Sequence, residues 1–157
     1  MTYIDQLEME IIASGEDPAF AGAASDDVIS DFENALGVKF PPSYILFLKK
    51  YGALSFAGDT YYGITKDGVD ASAIPSVAFA TQSARADGNA DGSMIVIKAS
   101  GCGPIYSIDT SIIGDDGEPV VVKTELSFKR TGVKNIMHSD FKEFFSHMIR
   151  QAIKELG

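Results

Sequence analysis

Apolar positions recur with helical spacing at both ends of this chain and give way, in its middle, to short apolar runs between turn residues. Near the start, Ile4, Leu7, Ile11 and Ile12 fall on one stripe, which predicts an amphipathic helix over residues 2–14 closed by Gly15. The small-residue stretch 15–24 reads as a connecting loop. Val28, Ile29, Phe32, Ala35 and Leu36 define a second inward face, capped by Ser25 or Asp26, with Asp26, Asp27 and Asp31 well placed against the positive end of the helix dipole. Gly37 follows that face and can close the helix with a positive φ, while Pro41-Pro42 forbids continuation and suits the first turn of another helix. Tyr44, Phe47, Leu48 and Tyr51 then recur at i, i+3, i+4 and i+7 on a short helix closed by Gly52, and that face must be buried.

Beyond Gly52 the period changes. Residues 53–57 and 60–64, separated by Gly58-Asp59, read as a hairpin, and strand alternation requires one of Tyr61 and Tyr62 to face away from the core. Residues 70–86 read as a loop and then a short helix after Pro75, and strands are expected at 94–98, 105–108 and 119–123, the last after the turn Gly114-Asp115-Asp116-Gly117. The clearest helix comes last: residues 139–156 place Phe141, Phe144, Phe145, Met148, Ile149, Ala152 and Ile153 on one stripe, with Ser139 as cap. The expected fold is α+β, a single domain over residues 1–157, with an antiparallel-leaning sheet packed by N-terminal helices and a long C-terminal helix. Phe47, Leu48, Phe144, Phe145 and Met148 are expected in its core.

The same run carries a family resemblance. Leu36-Gly37, Pro41, Tyr44, Phe47-Leu48 and Tyr51-Gly52, in that spacing, resemble the signature of the SUKH superfamily, the Smi/Knr-like proteins. Three further pieces follow in that family's order: a strand pair with a Gly-rich turn ending in Asp109, a Pro-led strand from Pro119, and a terminal Ser139-Asp140-Phe141 helix with Phe144-Phe145. The resemblance spans residues 25–153. It implies a bacterial immunity protein that binds and neutralises a cognate toxin, often a nuclease, and it implies no catalytic residue.

Composition narrows the classes. With 157 residues, 45% hydrophobic and 22% charged, the chain is ordinary for one globular domain. No apolar run approaches the about 20 residues that crossing a bilayer requires. Met1-Thr2-Tyr3-Ile4-Asp5 places acid where a secretory leader carries base, so no leader is expected. The single Cys102 allows no internal disulfide, and no Cys/His set has zinc spacing, so a reducing, cytoplasmic location is expected. Residues 1–38 hold nine acids and no Lys or Arg, whereas residues 39–157 hold thirteen of each sign, so the formal net charge of −9 arises in the first quarter. That bias solvates helix faces, repels nucleic acid and anionic lipid, and attracts a basic partner.

Candidate chemistry is sparse. Asp87-Gly88-Asn89-Ala90-Asp91-Gly92 resembles the opening of a calcium loop, but the twelfth position falls on Lys98 where a bidentate Glu is needed. Cys102 would need a base and an orienting group to act as nucleophile, and only His138 and His147 are available, without metal-ligand spacing. No cofactor or metal is expected and no catalytic residue is assigned. The expected function is stoichiometric binding of a basic toxin domain by occlusion, with Asp26, Asp27, Asp31, Asp59, Tyr61, Tyr62, Asp87, Asp91, Asp115 and Asp116 as candidate contacts. The alternative is a non-enzymatic scaffold or regulatory interaction module. Neither reading involves nucleic acid or a membrane, and both leave homo-oligomer formation open.

Overall fold

A computed structural model of the chain describes residues 1–100, 103–125, 128–129 and 131–157. Three helices open it: α1 (Tyr3–Ser14), α2 (Asp26–Leu36) and α3 (Pro42–Tyr51). The side chains of Thr2 and Asp5 cap α1 reciprocally, Ser25 caps α2 by accepting from Val28 N, and Gly15 and Gly37 close the two helices at φ 79° and 68°. The expected inward faces hold at Ile4, Leu7, Ile11, Ile29, Phe32 and Leu36. Two positions depart from them: Ile12 is 72% exposed, and Ala35 is exposed. Ile12 stands eight residues past Ile4, which rotates it about 80° off that stripe.

The loop expected at 15–24 contains a strand of two residues, β1 (Ala19–Phe20), antiparallel to β2 (Leu54–Phe56), which pairs in turn with β3 (Asp59–Tyr61). Ala57 and Gly58, with φ 51° and 86°, form the hairpin turn, so Asp59 belongs to the strand opposite Phe56 and the turn lies one residue earlier than the sequence predicts. A 3-10 turn, Gly68–Asp70, and α4 (Val77–Ala86), capped by Ser76, fill the region expected as loop and helix. The second sheet is an antiparallel meander, β4 (Met94–Ala99), β5 (Ile105–Ile113), β6 (Pro119–Thr124) and β7 (Asn135–His138). No sequence signal predicted β7. The chain ends in α5 (Phe141–Leu156), capped by Asp140 rather than the expected Ser139, because the Asp140 carboxylate accepts from Glu143 N at 2.7 Å.

Helix α5 packs against α1 and α3 on one side and β6 and β7 on the other. Its Phe141, Phe144 and Phe145 meet Tyr44 and Phe47 of α3 and Tyr61 of β3, with ring centroids 4.9 Å apart for Tyr44 and Phe141 and 5.1 Å for both Phe47–Phe145 and Tyr61–Phe145. Of the expected core set, Phe47, Leu48, Phe144 and Phe145 are buried, and Met148 is only partly so. The glycine after Tyr51 has a packing reason as well as a capping one. A Cβ on Gly52 would lie 2.2 Å from Gly22 O and 2.7 Å from Ile64 O, and one on Gly63 would lie 1.7 Å from Gly52 O, so both glycines let backbones meet closely.

Candidate functional site

The acid-rich first quarter unfolds into two different surfaces. On α1, Asp5 and Glu8 bracket Lys50 at 3.5 and 2.9 Å, and Glu10 accepts from Arg150 of α5 through two nitrogens at 3.0 Å. Asp26 at the start of α2 pairs with Lys49 at 2.7 Å. These acids tie helices together. Asp27 and Asp31, one helical turn apart and both exposed, form no ion pair among the described residues. The 3-10 turn packs against α2 and brings the exposed Asp67 and Asp70 beside it. Four exposed acids that form no ion pair among the described residues thus lie where α2 meets that turn, with the exposed Lys66 as the cation next to Asp67, and Asp67 and Asp70 were missed because they are distant in sequence from α2.

The other candidates separate into free and committed groups. Tyr61 and Tyr62 are both buried, at 1% and 6% exposure, so neither forms the exposed aromatic anchor expected of the hairpin. The strand ends at Tyr61 and alternation lapses there: Tyr62 N donates to Ile97 O at 2.9 Å, and its carbonyl accepts from Tyr44 Oη at 2.7 Å. Asp59 pairs with the nearly buried Lys98 at 3.3 Å. Asp87 is exposed at the C-terminus of α4. Asp91 is occupied internally: Lys134 Nζ lies 2.6 Å from both Asp91 and the fully buried Asp109, and Ser93 and Ser111 donate to these carboxylates. Burial alone would raise both carboxyls, but these donors outweigh it and hold them below the ordinary range. The calcium-like loop is thus one wall of an internal ion triad.

Asp115 and Asp116 lie exposed on the β5–β6 turn, beside the start of α5. Burial, then a hydrogen bond with Asp116, pushes the Asp140 carboxyl up to about 6, while Asp116 is held below its usual range. The fold favours protonated Asp140, so its contribution is present below the ordinary carboxyl range and is lost as pH rises through about 6. A carbon-detected titration should place the Asp140 midpoint near 6, and Asp116→Ala should move it down; an unchanged midpoint would mean the two carboxyls are independent.

The histidines that sequence spacing separates come together here, their rings 5.3 Å apart. His138 Nδ1 and Ser139 Oγ both bond Glu143, at 3.1 and 2.9 Å. The serine hydroxyl thus faces a carboxylate rather than the imidazole, which is the wrong order for a general base acting on a nucleophile. Cys102 lies outside the described residues. Among the described residues no group of three or more His, Cys, Asp or Glu could hold a metal ion, and no helix is long and apolar enough to cross a membrane.

The fold is therefore an α+β domain whose α2 and adjoining 3-10 turn present exposed acids. A family model described as SMI1-KNR4 cell-wall matches residues 26–145, and the chain belongs to that SUKH family. A search of curated proteins finds no match. Helix α1 precedes the matched span, yet its Ile4, Leu7 and Ile11 complete the core.

Proposed function

We propose that this protein is a cytoplasmic immunity protein that binds a basic toxin domain one-to-one and neutralises it by covering its active site, without turnover. The observation that carries the reading is the free acidic face of α2 and the adjoining 3-10 turn, where Asp27, Asp31, Asp67 and Asp70 point to a cationic partner in a chain of SUKH family membership. A nuclease toxin, whose cleft must attract phosphate, offers the complementary charge. Pre-formed helical acids need no ordering on contact, and attraction between opposite fields speeds encounter, which suits an inhibitor that must act before damage accumulates.

The test is to co-express this chain with the products of the reading frames that flank its gene and to sediment each mixture. Cell survival and a one-to-one complex are expected; a folded protein that neither protects nor binds overturns the reading in favour of a regulatory scaffold. Asp27→Lys with Asp31→Lys should lower the association rate by about tenfold and abolish its decrease with added salt. Asp26 is left intact because its charge pairs with Lys49. Wild-type rate and salt dependence in the folded double variant would exclude steering by α2.

A further inference from the structure

The four-stranded sheet has two edges, and they are treated differently. Backbone at Tyr62 covers β4, its N–H bonding Ile97 O at 2.9 Å. Beyond β7, no strand pairs among the described residues. Natural edges are usually blunted by charge or proline, whereas β7 presents Ile136 at 58% and Met137 at 42% exposure. The register slips between Val121 and Val122, leaving Met137 as the extra residue of a bulge, so neighbouring apolar side chains both reach solvent. Ile113, 59% exposed, extends the patch across the end of β5. Between them runs a groove of about 320 Å³ whose rim carries Asp115 and Glu143.

We propose that β7 is a docking edge that accepts an extended segment of a basic protein as an added strand, its apolar side chains seated against Ile136 and Met137 and a flanking Lys or Arg meeting Asp115 and Glu143 at the mouth of the groove. Backbone pairing supplies affinity, and the groove and its acids supply selection. The kind of partner rests on the immunity reading above; the edge and its mode of binding do not.

The probe is an eight-residue synthetic peptide with Val and Ile at alternate positions and Lys at both ends, compared with a Glu-ended version and with one N-methylated at alternate amides. The Lys-ended peptide should bind at least about tenfold tighter than the Glu-ended one, N-methylation should abolish binding, and amide shifts should centre on residues 135–138. Ile136→Asp should remove binding, and Asp115→Lys should erase the preference for Lys ends; both positions are exposed, so folding survives. Equal binding of the two peptides, no binding, shifts centred on α2, or a wild-type dimer dissolved by Ile136→Asp would each overturn the proposal. Peptide binding without protection in cells would instead fail the immunity reading alone, and protection without peptide binding would fail this one alone.

Discussion

Phe145→Ala is expected to lower stability by about 3 to 5 kcal/mol, read as a fall in the urea midpoint at constant m-value. Phe145 has no exposed surface, and its ring lies 5.1 Å from both Phe47 and Tyr61 and 5.5 Å from Phe141. Phe141 shares α5 with it, while Phe47 and Tyr61 come from α3 and β3, so the ring ties the C-terminal helix to elements far earlier in the chain. Removing it deletes apolar transfer energy and leaves a cavity that rigid aromatic neighbours refill poorly. Met148→Ala, on the same helix but only partly buried, should cost about 1 kcal/mol and serves as the control. Equal midpoints for Phe145→Ala and wild type would show that this stripe does not hold the helix to the sheet.

The parts of this structure legible in the sequence are those where one local rule suffices. The helix of residues 42–51 is written in Pro41-Pro42, an i, i+3, i+4, i+7 aromatic and apolar face and Gly52, and helix, caps and burial follow from them. β7 was not legible because four residues, three of them exposed, carry no burial alternation; their strand exists through pairing with β6. The hairpin was placed but its turn slipped by one residue, since Ala57 adopts a positive φ that sequence rules reserve for glycine or asparagine. Among candidate contacts, Asp27, Asp31, Asp87 and Asp115 are exposed as expected, Asp26, Asp59 and Asp91 are spent on lysines, and Asp116 is bound to Asp140. Sequence gives the position of an acid but not the cation folded against it. Lys134, which organises Asp91 and Asp109 across a gap of at least 25 residues, had no local signal at all.

That lysine carries the second large effect. Lys134→Ala is expected to destabilise the fold by about 3 kcal/mol at neutral pH, because Asp109 would remain fully buried without its counter-charge. The value lies at the low end for broken buried pairs because the lysine side chain is itself 20% exposed and the amide and hydroxyl of Ser111 still donate to Asp109. The pH dependence has a definite sign. In the wild type Asp91 and Asp109 are held below the ordinary carboxyl range, so their contribution is present above that range and is lost only as pH falls through their depressed values. Without Lys134, burial dominates at Asp109 and its carboxyl moves up, so the folded state gains relative stability on mild acidification where the wild type loses none. Adding Asp109→Asn removes the stranded charge and should recover part of the loss, giving a coupling energy well beyond experimental error in a double-mutant cycle. Urea midpoints measured from pH 4 to 8 test all three statements: additive single effects, or a Lys134→Ala variant with the wild-type pH profile, would show that the triad is not the internal clamp between β5, the loop after α4 and the start of β7.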